Sequence, residues 1–577
     1  MRRLNFELPA PLTRVFTGGD ALILLGLAAL LYGGARLALG APHVIAGPEI
    51  SLSVAAVPWY ALLSIGRMSV AYGLSLTFSL LYGYAAARNE SARALLMPLL
   101  DVLQSVPILS FLPVVLLGLS AFLPRGFAAE LTAVVLIFTS QAWNMTFSFY
   151  QSVRTIPVEL REAAAIFRLS PWLRFRHLEL PFAAVGLIWN SVMSWAGGWF
   201  FLMAAEMFHV GDRDFRLPGL GSYLQTAASR GDLRAVLIGV ATLVVVVVAL
   251  DQLVWRPLLA WAERFKLETV EGDAPPGSWF RDALAQSWIA RQCGDRIGEP
   301  LLERLDGWLG RPQAGPRPTD LRRREGVAPK PSLMLRVVAG LVVLAAIYGG
   351  YRAAVLLATL DSTAWIQVVE GLLATFLRVA VSLGVALLWA VPVGAMIGMN
   401  RRLTAALQPV VQILAAIPAT ALFPVLLLLL LRVPGGLNLA AVVLMLLGTQ
   451  WYLLFNVIAG ASAIPQDLIQ TTDLLRLGRV ERWRRLILPG LFPYIVTGGI
   501  AASGGAWNAS IVAEYVQFGG RTHATIGLGA AIAEATAAGN PALLLAATLV
   551  MVGTVVLINR LFWRRLYRLA EARYCMD

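Results

Sequence analysis

Residues 157–181, PVELREAAAIFRLSPWLRFRHLELP, return 308 positions later as residues 465–489, PQDLIQTTDLLRLGRVERWRRLILP. Both stretches begin and end on proline, are rich in Arg, and separate long apolar blocks. The same offset of 308 carries Trp199 to Trp507, Glu206 to Glu514, Gly219 and Gly221 to Gly527 and Gly529, and Trp255-Arg256 to Trp563-Arg564. Nearer the N-terminus an offset of 311 carries Arg67, Asn89, Pro98, Pro107 and Pro113 to Arg378, Asn400, Pro409, Pro418 and Pro424. Composition alone does not generate such a register, so the chain reads as two copies of one module.

Of the 577 residues, 58% are hydrophobic and 14% charged, against about 45–50% and about 25% in soluble domains. With a mean hydropathy of +0.70, this excludes an ordinary soluble enzyme. The apolar residues gather into blocks of about 20, the length that crosses a bilayer. Blocks near 21–40, 57–87, 95–123, 128–150, 182–205 and 235–255 are followed by blocks near 334–358, 366–398, 405–431, 438–461, 490–513 and 541–562. The expectation is an all-α polytopic membrane protein with two six-helix modules and about twelve spans. The first module covers 1–256 and the second 333–577. Between them 257–332 is rich in Pro and charge, and reads as a linker outside the membrane, partly helical around Trp279 to Leu309.

The net charge of +13 is almost all Arg, since Lys266 and Lys330 are the only lysines. Arg2, Arg3 and Arg14 precede the first span, and the loop 41–56 has neither Lys nor Arg. The positive-inside bias then puts the N-terminus, both Arg-rich loops, the linker and the C-terminus in the cytoplasm. Arg2-Arg3 before an apolar run also fits a signal peptide, but a similar span with Tyr348-Gly349-Gly350 recurs in mid-chain. An even number of spans makes the copies parallel, related by an axis along the membrane normal with a pathway between them. Cys293 and Cys575 are too few for a thiolate site, and His43, His177, His209 and His523 have no ligand spacing, so no metal is expected.

In the quoted loops Glu162-Ala163-Ala164 precedes Leu180-Pro181, and Gln470-Thr471-Thr472 precedes Leu488-Pro489 at the same spacing. This resembles the EAA loop of permease subunits of binding-protein-dependent ABC importers. Ala204-Ala205-Glu206 with Gly219-Leu220-Gly221, and Ala513-Glu514 with Gly527-Leu528-Gly529, are similar to the nitrate, sulfonate and taurine branch. The resemblance implies the type I importer transmembrane fold in a bacterial inner membrane. It also implies two cytoplasmic ATPase subunits on the two loops, a periplasmic binding protein, and a small oxyanion as cargo. ATP and Mg would be bound by those partners, and no cofactor by this chain. Two departures stand out. The loop's Gly position is Arg168 in one copy and Arg476 in the other, and the second copy lacks the acidic residue. Because Arg disfavours φ > 0, the turn is expected to move to Ser170-Pro171 and to Gly478.

Neither lysine sits in a G-x-x-x-x-G-K-[ST] loop, so the chain is expected to be a transport subunit and not an enzyme. Polar groups within spans are functional candidates. The neutral ones are Gln141, Trp143, Asn144 and Asn190 in the first copy and Gln450, Trp451, Tyr452, Asn508 and Ser510 in the second, each with core packing as the alternative. Glu206 and Glu514, beyond Trp199 and Trp507, would repel an anion. A structural role, accepting backbone N–H bonds or pairing with Arg, is favoured for them. Arg67 and Arg378 either attract an anion or snorkel to the outer interface, the latter preferred. The alternative function is an ion-coupled secondary transporter with parallel repeats. A membrane-embedded enzyme finds no motif in its support.

Overall fold

The computed structural model describes residues 18–38, 47–210, 213–265, 280, 304, 306–307, 333–464, 466–518 and 521–574. Cys293, Cys575, Lys266, Lys330, His43 and nearly all of the expected linker helix lie outside the described residues.

The first repeat runs α1 Gly18–Ala38, α2 Val57–Arg88, α3 Glu90–Ser105, α4 Leu112–Ser120, α5 Arg125–Arg154, α6 Val158–Ile166, α7 Pro171–Arg174 and α8 Leu180–Glu206. A hairpin, β1 His209–Val210 and β2 Arg213–Asp214, then leads to α9 Leu220–Ser229, α10 Leu233–Leu250 and α11 Arg256–Ala262. The second repeat follows the same order. Its helices are α12 Leu333–Leu357, α13 Ser362–Gly398, α14 Arg401–Ala416, α15 Ala419–Leu430, α16 Gly436–Ser462, α17 Gln466–Leu474, α18 Arg479–Arg482 and α19 Leu488–Glu514. The hairpin β3 Tyr515–Phe518 and β4 Arg521–Ala524 precedes α20 Leu528–Ala537, α21 Pro541–Ile558 and α22 Arg564–Tyr574. Both hairpins are antiparallel, with Val210 opposite Arg213 and Phe518 opposite Arg521. Single π turns recur at matching places: Phe175–Glu179 with Trp483–Ile487, and Asp251–Trp255 with Asn559–Trp563. Such turns widen a helix by one residue locally, and their repetition shows that the duplication reaches the backbone.

Eight helices among the described residues are long and apolar enough to cross a membrane, or nine if one bent pair counts as a crossing. The chain is therefore an all-α polytopic membrane protein built of duplicated modules. The expected single span over 95–123 is corrected: it is a helix pair, Glu90–Gln104 and Ile108–Ser120, bent by 86°. The block at 405–431 is likewise two helices, α14 and α15. Proline is the cause. Val106 and Ile417 precede Pro107 and Pro418 and sit in extended conformation, with ψ 125 and 114, because a residue before proline is driven out of the helical region.

Within each repeat the long helix after the break packs between its neighbours, α5 against α2 and α8, and α16 against α13 and α19. The repeats meet through α15 against α8 and α9, through residues 108–111 against α19, and through α21 against α3. Their first helices depart from this symmetry: α1 lies on α4 and α21, whereas α12 lies on α1 and α21. Small residues permit that contact. A Cβ on Gly349 would fall 2.3 Å from Ala29 Cβ, and one on Gly350 2.2 Å from Leu25 Cδ1. Without a hydrophobic drive between helices in lipid, such close backbone approach supplies the packing. Gly349→Leu should therefore lower the thermal midpoint of the purified chain in detergent, at an overpacking cost of about 1–3 kcal/mol. Gly340→Leu, where nothing lies within 4 Å, should leave the midpoint unchanged.

Candidate functional site

At the far end of each repeat from the Arg-rich loop a buried carboxylate ties three elements together. Glu206 and Glu514 end α8 and α19 and are fully buried. Glu206 Oε1 accepts from Ser64 Oγ at 2.7 Å and from Arg67 at 2.8 Å, while Oε2 accepts from Gly221 N at 2.8 Å. Glu514 repeats this with Thr375 at 2.8 Å, Arg378 at 2.7 Å and Gly529 N at 2.8 Å. Ser64 and Thr375 also accept from Leu220 N and Leu528 N, so each carboxylate and hydroxyl cap the first turn of α9 or α20. The helix N-terminus favours that negative charge. The G-L-G spacing follows from space. A Cβ on Gly219 would lie 2.3 Å from the Glu206 carboxyl carbon, and one on Gly527 2.3 Å from that of Glu514. Arg67 and Arg378, preferred as snorkelling residues, instead turn inward, with side chains only 6% and 11% exposed. The repeats differ in the outer partner: Arg67 makes a bidentate pair with Glu130, both bonds 2.6 Å, where Arg378 meets Asn438.

At the other end lie the two loops. Helix α6 carries Glu162, Ala163 and Ala164, and only Ala164 is buried; in α17 Thr472 is buried while Gln470 and Thr471 are exposed. The expected shift of the turn is corrected. Arg168 and Arg476 both adopt φ 48. Leu169 N bonds Ala164 O at 3.1 Å and Arg168 N bonds Ala165 O at 3.0 Å, with Leu477 N to Thr472 O at 3.1 Å in the second copy. This is a Schellman ending, which needs a left-handed residue after the helix. Ser170 and Gly478 do a different task, capping α7 and α18 with φ of −60 and −62. Pro181 and Pro489 sit in the first turn of α8 and α19. Sequence reading passed over the residues before the turn: Ile166 and Phe167 are 74% and 76% exposed, Leu474 and Leu475 84% and 66%. Their recurrence at an offset of 308 was the available signal.

One residue of the stretch between the two repeats reaches the first loop. Asp306 accepts from Trp172 Nε1 at 2.8 Å and pairs with Arg176. The Arg176 guanidinium and the Trp172 indole hold its carboxyl below the usual range. The matching positions of the second copy are Val480, 80% exposed, and Arg484, so the two loops present different surfaces.

The candidate polar residues fall into two groups. Gln141, Trp199, Trp507 and Ser510 are buried. Ser510 bonds its own helix at Trp507 O, and Gln141 Oε1 lies 3.5 Å from Ser75 Oγ. Gln450 is also buried, and Trp143 and Trp451 are half-buried. Others stand where the repeats meet. Asn508 Oδ1 accepts from Leu109 N at 3.2 Å, and at the related place Thr420 Oγ1 donates to Phe200 O at 3.2 Å. The Tyr452 hydroxyl approaches Gly197 of the first repeat, 3.4 Å from where a Cβ would stand. Asn144 is exposed and Asn190 half-buried, both in the wall of a polar cavity on the loop side. Nearer the opposite end an apolar cavity of about 70 Å³ lies between the repeats, walled by Leu109, Phe208, Phe423, Ile511 and Tyr515 among others.

Two outcomes follow from this geometry. Glu206→Gln should cost about 3–5 kcal/mol, because it leaves Arg67 without its buried partner, whereas Glu130→Gln, at a side chain 42% exposed, should cost about 1 kcal/mol or less; thermal unfolding in detergent separates them. Arg168→Gly should gain about 1 kcal/mol by relieving the left-handed strain, and Arg168→Val should lose stability. A Val variant as stable as the parent would contradict the turn.

Comparison with known proteins agrees with both halves of this architecture. The family model for the binding-protein-dependent transport system inner membrane component matches residues 78–254 and 390–573. The chain is 33% identical over 147 residues to the bicarbonate transport system permease protein CmpB of Synechococcus elongatus, covering 26% of this chain and 51% of the relative. It is 29% identical over 143 residues to the nitrate import permease protein NrtB of the same organism, covering 25% and 50%. With the taurine transport system permease protein TauC of Escherichia coli it shares 26% over 170 residues, covering 30% and 57%. The chain thus spans about half the length of the curated relatives it matches. With each repeat matched from the last part of its second helix onward, the chain belongs to the family of binding-protein-dependent transport system inner membrane components.

Proposed function

We propose that the two repeats together form the translocation pathway of an ATP-driven importer for a small anion such as nitrate, a sulfonate or a related oxyanion. The observation that carries this reading is the doubled loop. Each copy ends a short helix in a left-handed turn and leaves two large apolar side chains, Ile166 and Phe167 or Leu474 and Leu475, outside the fold. A pair of exposed apolar residues on a short helix suits the groove of a partner protein. Two cytoplasmic ATPase subunits take these loops, and a periplasmic binding protein delivers cargo at the opposite end. Residues 1–256 and 333–577 are the two permease modules, with 257–332 and both termini cytoplasmic in a bacterial inner membrane. One copy of the chain supplies both halves, and the chain has no ATPase site of its own.

Nearby chemistry supports this assignment over an ion-coupled carrier. Such a carrier needs a carboxylate free to exchange its ion, but Glu206 and Glu514 are each bound to an Arg, a hydroxyl and a helix N–H. The relatives named above are permeases for bicarbonate, nitrate and taurine, which favours an anionic cargo. Replacing Ile166 and Phe167, or Leu474 and Leu475, with Asp should abolish co-purification of an ATPase with the chain from its native host and abolish anion uptake, while membrane insertion stays intact. Full uptake by both double variants would remove the coupling role from the loops.

A further inference from the structure

On the loop side of the first repeat, α3, α5 and α8 enclose an open cavity of about 360 Å³. Its polar wall consists of Gln104, Asn144, Ser148, Gln151, Ser152 and Asn190, with Thr155 at the end nearest the loop. All are amides or hydroxyls, Phe147 completes the lining, and none of the described lining residues is charged. Gln104 gives an amide hydrogen to Asp101 at 3.4 Å and Asn190 gives one to Gly186 O at 2.9 Å. Among the described residues the side chains of Asn144, Ser148, Gln151 and Ser152 are not committed to the protein in this way. Arg154 follows the cavity wall along α5 and pairs with Glu90 at 3.0 Å, and Arg161 bonds the carbonyls of Val153 and Arg154, so guanidinium groups, one of them paired, stand at the end nearest the loop.

The same positions in the second repeat carry a different surface. Gln104 becomes Ala415, Asn144 Tyr452, Gln151 Ala459, Ser152 Gly460 and Asn190 Gly498. One amide remains, Asn456 in place of Ser148, and it is spent on Tyr452 O at 2.8 Å. Tyr452 extends toward Gly197 of the first repeat, which places its position, and by the repeat the position of Asn144, at the seam between the halves. Scaffold positions such as Arg67 and Arg378 survive in both copies, whereas along this wall five of the six polar positions named lose their amide or hydroxyl or exchange it for a tyrosine.

We infer that the first repeat alone carries a station for a small oxyanion, held by the neutral donors of Asn144, Ser148, Gln151 and Ser152, with Tyr452 as the opposite wall of the path. The assignment rests on the transport reading above and deepens it. Uncharged donors satisfy the oxygens of a nitrate, bicarbonate or sulfonate without the Coulomb attraction that would hold it against release. Among the described lining residues a divalent cation would find no carboxylate.

The test uses the full chain expressed in its native host, with nitrate, bicarbonate and taurine as the probes. The double variant Asn144→Leu, Gln151→Leu should lower uptake of the transported anion by about tenfold or more, the loss of one or two hydrogen bonds to a charged group. Asn144→Gln should keep most of the rate, and Asn456→Ala in the second repeat should stay within about twofold. Asn144→Asp, nearly the same shape, should reduce anion uptake at least as much as the double variant and guards against a folding defect in it. Wild-type uptake by a double variant of unchanged heat stability would overturn the station while leaving the transport reading standing. An equal loss from Asn456→Ala would overturn its one-sidedness. If deletion of the whole chain changed uptake of none of the three probes, the transport reading would fail, and this assignment with it.

Discussion

A carboxylate taken out of water costs several kcal/mol unless every lone pair finds a donor, and this chain has buried two, Glu206 and Glu514. Each is satisfied by groups from two other elements: a hydroxyl and a guanidinium from the second helix of the repeat, and one N–H from the first turn of the short helix that follows the hairpin. Because removing any one partner strands the rest, the end of each repeat away from the Arg-rich loop holds together as one body. In the transport reading proposed above, any movement of the repeats would then be taken up elsewhere. The seam between them is the natural place, since among the described residues its polar contacts are single hydrogen bonds: Leu109 to Asn508, Thr420 to Phe200, and Arg352 to Tyr32 between the first helices of the two repeats.

The first two of those seam contacts also show how the copies have diverged. They occupy related positions, yet one pairs a backbone donor with a side-chain acceptor and the other a side-chain donor with a backbone acceptor. In the buried knots the first copy gives its Arg a second carboxylate, Glu130, and the second gives it the neutral Asn438. Once both halves lie in one chain, no symmetry operator forces a residue and its counterpart to change together, as it does in a homodimer. Packing constrains Glu, Arg and Gly at the knot in both copies. The wall of the loop-side cavity faces no such constraint and has become polar in one copy and apolar in the other.

Repetition made much of the architecture legible in the sequence, since two weak signals at one offset reinforce each other. The knot was half legible: the Glu and the G-L-G could be singled out, and a structural role was favoured for the Glu, but not the residue that closes it. Arg67 lies 139 positions from Glu206 in sequence, and helical period alone does not say which face meets which. The bent pair at 90–120 was hidden for the opposite reason. Its apolar run is continuous, and the local signal, a residue before Pro107, is weaker than the hydropathy it interrupts. The cavity wall was out of reach, because Gln104, Ser148 and Gln151 become a set only when three helices pack.

The left-handed Arg at the end of each loop helix shows why a local rule failed there. An L-residue in that region costs about 1–2 kcal/mol, which argued for moving the turn to the next Gly or Ser-Pro. Moving it would have unmade the Schellman bonds that close α6 and α17, each worth about 0.5–1.5 kcal/mol. It would also have taken a cation away from the negative end of the helix, where it contributes about 0.3–1 kcal/mol. The gains match the strain, so Arg168 and Arg476 keep the turn where it is. The bend also fixes where Ile166, Phe167, Leu474 and Leu475 point: the last helical turn cannot roll them inward without breaking the 3.1 Å bonds from Leu169 to Ala164 and from Leu477 to Thr472. Exposure of these four apolar side chains is thus a consequence of the ending itself, in both copies alike.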